Sequence, residues 1–130
     1  MSVSDPIADL IVRVKNGIAA EHKYVDCPLS KQKVAILSVL KELGFINDFV
    51  INEELRLVRV YLRYGVNRKP RISAFRRLSS PGRRLYVTAD SIPYIKNRMG
   101  DVIISTSQGV VSGSQARKMG IGGEIICSVS

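Results

Sequence analysis

Three hydroxyl side chains in a row, Ser105-Thr106-Ser107, interrupt a β-prone stretch near the end of this 130-residue chain. A glycine-rich loop ending in an acid, Gly120-Ile121-Gly122-Gly123-Glu124, follows them. A serine or threonine becomes a nucleophile only when a base is held beside it. His22 is the one histidine, it lies far away in sequence, and no motif supplies a lysine base. The glycine loop leads into no Gly-Lys-Ser/Thr and fits no dinucleotide fingerprint. The carboxylates are scattered, without the spacing of a paired acid and base. Cys27 and Cys127 are far apart and, with one histidine, provide too few ligands for a metal. Both are flanked by β-prone residues and read as buried, reduced thiols. Catalysis is therefore not expected, and neither is a cofactor.

What these residues can do is hydrogen-bond. A-form RNA displays 2′-hydroxyls and base edges in a wide, shallow minor groove, and unstacked bases at bulges. Small hydroxyl side chains donate and accept there, and glycines let the backbone come close. Residues 105–108 (Ser105, Thr106, Ser107, Gln108) and residues 122–124 (Gly122, Gly123, Glu124) are read as two loops on one RNA-binding surface. Glu124 is the unusual member, because phosphates repel a carboxylate. It reads either as an acceptor for base N–H groups or as the ion-pair partner of a nearby arginine.

Charge supports a polyanionic partner through its placement. The net charge is +9. Residues 1–54 contribute −2 and residues 90–130 contribute +1, whereas residues 55–89 carry ten basic side chains and no acid. Nine of those ten are arginine, whose fork matches phosphate oxygens and stacks on bases. Arg76, Arg83 and Arg84 are the expected phosphate contacts, with Tyr86 nearby.

The elements that must position these residues can be read in order. Asp5-Pro6 opens a first helix, with Ile7, Leu10, Ile11 and Val14 inward and Asn16-Gly17 as its stop. Arg13, Lys15 and Asn16 lie on its outer face and form a second candidate RNA contact. Residues 24–27 form a short strand. Ser30 caps a second helix through Glu42, with Val34, Leu37, Leu40 and Leu43 inward and Gly44 terminating it. Lys31 and Lys33 oppose the dipole of its first turn, which leaves them available to a partner. Residues 45–51 and 56–64 form a strand pair, the second with Val58, Val60, Leu62 and Tyr64 on one face and Arg59, Tyr61 and Arg63 on the other. Residues 72–78 and 85–87 are expected as a hairpin across Ser79-Ser80-Pro81-Gly82, and residues 92–99 as a short helix. Residues 102–104 and 125–129 are the closing strands, with one helical turn at 116–119 capped by Ser112 and Gln115. The fold class is α+β in two small lobes. Residues 1–65 form an α-β-α-β-β layer, and residues 66–130 a mostly antiparallel β lobe with short helices that binds RNA.

The composition, 45% hydrophobic, is enough for a core. No apolar run approaches the roughly 18 residues of a membrane span, and the first residues resemble neither a secretory signal nor a transit peptide. The expected site of action is the cytoplasm.

The sequence resembles the family of small-subunit ribosomal protein eight, in its bacterial form, over essentially its whole length. The residues that carry the resemblance are Asp5-Pro6-Ile7-Ala8-Asp9 with Arg13 and Asn16-Gly17, and Ser79-Ser80-Pro81-Gly82-Arg83-Arg84-Leu85-Tyr86. Most specific are Ser105-Thr106-Ser107-Gln108-Gly109-Val110, Ala116-Arg117, and Gly122-Gly123-Glu124-Ile125-Ile126-Cys127. The resemblance implies a primary rRNA-binding protein that organises the central domain of small-subunit rRNA during assembly. Its partners would be that rRNA and neighbouring small-subunit ribosomal proteins, with no membrane. Ser105, Thr106, Ser107, Gly123 and Glu124 would be the specific contacts, with Tyr86 and Arg84 adjoining. The first helix, with Asp5, Pro6, Arg13, Lys15 and Asn16, would touch another part of the same RNA. Repression of the protein's own operon mRNA is the alternative role that the family implies. The sequence departs from the family pattern in three places. Ser80 replaces a common basic residue, which removes one phosphate contact. Asp101 replaces a small or apolar residue and is expected to disturb the electrostatics beside the hydroxyl triplet. Ser112-Gly113-Ser114-Gln115 replaces a more acidic helix start and is expected to cap the following turn less firmly.

Overall fold

Helix α1 (Pro6–Ala19) begins directly after Asp5, and Ile7, Leu10, Ile11 and Val14 are its buried stripe, at the helical spacing of the sequence. The computed structural model describes residues 5–95 and 100–130. Gly17 does not stop α1, as its type suggests it would. It is buried inside the helix, where an added Cβ would lie 2.3 Å from Val25 Cγ1, so its small size lets α1 pack on strand β1 (Tyr24–Pro28).

Helix α2 (Lys31–Glu42) has the expected bounds. Ser30 caps it by accepting from the Lys33 N–H at 3.1 Å, and Gly44 follows it at φ +83°. Its buried face is rotated from the expected one. Leu37 and Leu40 are inside, but Ile36 and Val39 join them in place of Val34 and Leu43. Lys33 is buried rather than offered to a partner. Its ammonium donates to the Pro28 carbonyl at 3.0 Å and lies 3.8 Å from Asp9. The β1–α2 connection passes close enough for that carbonyl to take over from water.

Strands β2 (Ile46–Asn52) and β3 (Leu57–Leu62) complete a three-stranded antiparallel sheet in the order β1-β3-β2. The alternation in β3 is as expected, with Val58, Val60 and Leu62 buried and Arg59 exposed. The helices pack on this sheet, α1 against β1 and β3 and α2 against β2. On its other face Arg59 forms a two-pronged ion pair with Asp26, at 2.9 and 3.2 Å, and lies over the Tyr24 ring at 3.9 Å. That pairing holds the Arg59 guanidinium firmly charged.

The chain divides after Ser73 into two compact units, Pro6–Ser73 and Ala74–Ser130, with Asp5 belonging to the second. Strands β4 (Phe75–Arg77), β5 (Tyr86–Val87), β6 (Asp101–Thr106), β7 (Gly109–Ser112) and β8 (Gly123–Val129) form one antiparallel sheet, with helix α3 (Gly113–Met119) after β7. Strand β8 runs between β6 on one side and both β4 and β5 on the other. Phe75 pairs with Val129 and Arg77 with Cys127, while Tyr86 pairs with Glu124. The expected β4–β5 hairpin is therefore absent. The two short strands lie one after the other along the same edge of β8, which is long enough to hold both. The turn between them is real but local, closed by reciprocal backbone bonds between Ser80 and Arg83, each at 3.0 Å.

Residues 92–95 are not helical. A 3₁₀ turn at Ala89–Ser91 precedes them, and residues 96–99 of the expected helix lie outside the described residues. Ile92, Val102, Ile104, Ala116 and Ile125 form one core cluster of this unit, with Leu78, Val87, Ile95 and Val111 against it.

Two expectations about α3 are overturned together. Ser112 caps it by accepting from the Gln115 N–H at 3.1 Å. Asp101 is buried and accepts from the Ser114 N–H at 3.1 Å and the Ser114 hydroxyl at 2.8 Å. It also accepts from the Val102 N–H at 2.7 Å. The acid thus turns inward, and the helix start it serves is firmly held.

Candidate nucleic-acid interface

The register of the larger sheet places the expected residues in one row. Tyr86 on β5 is paired with Glu124 on β8, Glu124 with Ser105 on β6, and Ser105 with Val110 on β7. Directly paired residues project to the same side of a sheet, so Tyr86, Glu124, Ser105 and Val110 share one face. Tyr86 is 70% exposed. At the end of that row the β6–β7 turn carries Ser107 and Gln108, both exposed, with Gly109 at φ +113°.

Each member has a definite local role. The Thr106 hydroxyl donates to the Gly109 carbonyl at 2.7 Å and accepts from the Gln108 N–H at 3.1 Å. It builds the turn that presents Ser107 and Gln108. Gly122 and Gly123 are demanded by the sheet itself. A Cβ on Gly123 would lie 2.1 Å from the Ser105 carbonyl oxygen, and one on Gly122 would lie 2.1 Å from that of Val87. β8 can approach both neighbours at its start only because these two residues have no side chain.

Glu124 is held on two sides. The Ser79 hydroxyl donates to its Oε2 at 2.6 Å. Arg84 Nη1 donates to Oε1 at 3.1 Å and to Oε2 at 3.2 Å. The ion-pair reading of Glu124 is therefore realised in this fold, and the arginine beside it is Arg84. The Glu124 side chain is 14% exposed and that of Arg84 52%, so the guanidinium faces outward over a carboxylate held from beneath.

The other arginines divide by what they touch. Arg76 on β4 and Arg83 at the Ser80–Arg83 turn are exposed. Arg77 is committed inward. It meets Asp5 at 3.2 and 3.4 Å and donates to the Ile126 carbonyl at 3.0 Å. Asp5 thus carries an ion pair with Arg77. Arg117 lies over the Tyr94 ring at 3.8 Å and donates to the carbonyls of Ile92 and Pro93 at 3.4 and 2.8 Å.

The second expected contact lies on the Pro6–Ser73 unit. Pro6, Arg13, Lys15 and Asn16 are exposed along α1. Arg13 is tied down, with Nε on Asp9 at 2.9 Å and Nη1 on the Asp26 carbonyl at 3.1 Å. Asn16, Arg13, His22 and Tyr24 border a shallow cleft there of about 510 Å³.

Sequence reading missed Ser79, which it placed in a turn. The signal was the period of two from Phe75 through Arg77 to Ser79, which puts Ser79 in phase with a buried strand position. Both thiols are buried and free. Burial raises Cys27 and pushes Cys127 up to about 12, so neither is a nucleophile near neutral pH. Among the described residues no group of three or more His, Cys, Asp or Glu is placed to hold a metal ion, and no helix is long and apolar enough to cross a membrane.

Comparison with known proteins places the whole chain among relatives of one family. The sequence profile of the family Ribosomal protein S8 matches residues 5–130. A relative named small ribosomal subunit protein uS8 from Chlamydia trachomatis serovar D is 49% identical over 128 residues, covering 97% of this chain and 96% of its own. The protein of that name from Chlamydia pneumoniae is 48% identical with the same coverage. That from Anaeromyxobacter sp. strain K is 47% identical over 131 residues, 99% of either chain. With a match over nearly its full length and near half identity to proteins of the small subunit, this chain belongs to the ribosomal protein S8 family, whose members are ribosomal proteins and not enzymes.

Proposed function

We propose that the protein is a primary rRNA-binding protein that grips and organises the central domain of small-subunit rRNA during assembly, with the Ala74–Ser130 unit as its main RNA-binding part. One observation carries the reading. A carboxylate, Glu124, lies beside Ser105 and Tyr86 on one sheet face, against Arg84 of the strongly basic stretch 55–89. The pair with Arg84 leaves Oε1 with a lone pair that a phosphate cannot use and an N–H or O–H donor can. A carboxylate acceptor next to hydroxyls suits base N–H groups and 2′-hydroxyls of an irregular RNA helix.

Within this reading Ser105, Ser107, Gln108 and Glu124 read the RNA, and Tyr86 provides an exposed ring for stacking. Thr106, Gly122 and Gly123 shape the surface. Arg76, Arg83 and Arg84 engage phosphates, and Pro6, Arg13, Lys15 and Asn16 on α1, with Asp5 ahead of it, meet a further stretch of the same RNA. The test is a competition titration at near-physiological salt, with a central-domain fragment of small-subunit rRNA set against a scrambled duplex of equal length. A preference on the order of 10³-fold is expected, as for specific nucleic-acid sites generally. Equal, salt-sensitive binding to both would overturn the reading and leave only a nonspecific basic surface.

A further inference from the structure

We propose that Ser79 is a positioning residue for RNA recognition, acting through Glu124 by fixing which way its carboxylate points. The proposal rests on the RNA-binding reading above. Ser79 is 0% exposed and cannot touch an RNA itself. Its hydroxyl has one proton and two lone pairs. The Leu85 N–H occupies a lone pair at 3.1 Å, so the proton is directed to Glu124 Oε2 at 2.6 Å, within the range of a charge-assisted bond.

The anchor for that bond is rigid. The N–H groups of Leu78 and Ser79 both donate to the Ile126 carbonyl, at 3.0 and 3.2 Å, which ties Ser79 to β8 just past Glu124. The Ile125 N–H donates to the Leu85 carbonyl at 2.9 Å, which ties down the other end of the same loop. Ser79 is thus clamped on both sides to the strand whose first acid it holds. Arg84 grips the same carboxylate from a half-exposed, flexible side chain, and so cannot provide the same definition.

The two partners also sort the oxygens. Oε2 accepts from both Ser79 and Arg84, whereas Oε1 accepts from Arg84 alone among the described contacts. Oε1 therefore keeps the open lone pair and is the oxygen aimed at an RNA donor. Holding it in place before binding removes the ordering cost of a free glutamate side chain.

The experiment is a double-substitution cycle, read by titration with the central-domain fragment and with the scrambled duplex, using the full chain. Ser79→Ala should weaken binding to the specific RNA about tenfold and leave the scrambled duplex and the salt slope unchanged. In a Glu124→Ala background the same change should cost less than about twofold, because its effect passes through the missing carboxylate. Equal losses in both backgrounds would overturn the proposal and assign Ser79 to the fold alone. No loss from Ser79→Ala while Glu124→Ala weakens specific binding would also overturn it, with the RNA reading intact. If neither change affects specific binding, the RNA reading of this surface itself fails. Circular dichroism and thermal melting check each variant. If Ser79→Ala melts too early, Ser79→Cys, with a weaker donor in similar volume, carries the same cycle with a smaller expected loss.

Discussion

At the scale of single residues, the Arg84–Glu124 ion pair and an acceptor role for Glu124 are compatible, because Oε1 keeps a lone pair after Arg84 is satisfied. Thr106 and Ser107 are adjacent but differ in kind, since one hydroxyl closes the β6–β7 turn and the other is exposed on it. Glu124→Ala and Ser107→Ala should each cost about 1–3 kcal/mol in binding to the specific RNA, with little change on a scrambled duplex. Filter-binding or fluorescence titrations on both RNAs would decide this, and equal losses on the two would show that the residues do not read the RNA. Gly123→Ala acts by a different route. Its Cβ would sit 2.1 Å from a backbone oxygen, which no rotamer relieves, so the β6–β8 pairing must open. A stability loss of at least about 2 kcal/mol in urea denaturation is expected, at the upper end of overpacking costs. A variant as stable as wild type would show that β8 can shift to make room.

At the scale of elements, the inward turn of Asp101 explains how α3 manages without an acid in its own first turn. The acid comes from β6, across the sheet, and binds Ser114 inside the first turn of the helix. Asp101→Ala should lower stability by about 2 kcal/mol, since it strands the buried Val102 N–H and removes the carboxylate that holds Ser114. Ser112→Ala should cost about 1 kcal/mol, the usual worth of an N-cap. Chemical denaturation of the two variants would measure both, and a neutral Asp101→Ala would mean that water replaces the carboxylate. The placement of β4 and β5 on one edge of β8 has a consequence for the interface as well. It brings the Ser79–Arg84 connection over Glu124, which a β4–β5 hairpin would have carried away from it.

At the scale of the whole molecule, the uneven charge along the chain sets how binding responds to salt. Arg83→Ala should lower the slope of log affinity against log salt by roughly one unit on any RNA. Arg84→Ala should lower it by less, because Glu124 already holds that guanidinium. Salt titrations would test this, and an unchanged slope for Arg83→Ala would return Arg83 to an ordinary solvated face. Stability should also depend on pH through Cys127. Burial keeps the folded thiol protonated up to about pH 12, while an unfolded thiol ionises near pH 8.5. The folded-state pKa is the higher one, so this contribution is complete below about pH 8.5 and is lost as pH rises toward 12. Denaturation midpoints should therefore fall less steeply between pH 8 and 10.5 in Cys127→Ala than in wild type, and equal slopes would count against a buried neutral thiol.

The sequence by itself determined what depends on near neighbours in the chain. The bounds of α2, its Ser30 cap, the buried stripe of α1, the alternation of β3 and the Ser112 cap all follow from periods of two and of three to four, or from a side chain reaching a nearby N–H. Membership of the ribosomal protein S8 family was legible for the same reason, from short strings in order. The tertiary structure decided what depends on how separate elements meet, whether near or far along the chain. Lys33 is inside because the Pro28 carbonyl comes to meet it, and Gly17 lies within a helix because Val25 presses on it. Asp101 faces Ser114, β4 and β5 share β8, and Ser79 reaches Glu124 across 45 positions. Nothing in a local pattern records which strand edge or carbonyl will stand opposite a given side chain, since that is settled only when the sheet pairs and the core closes.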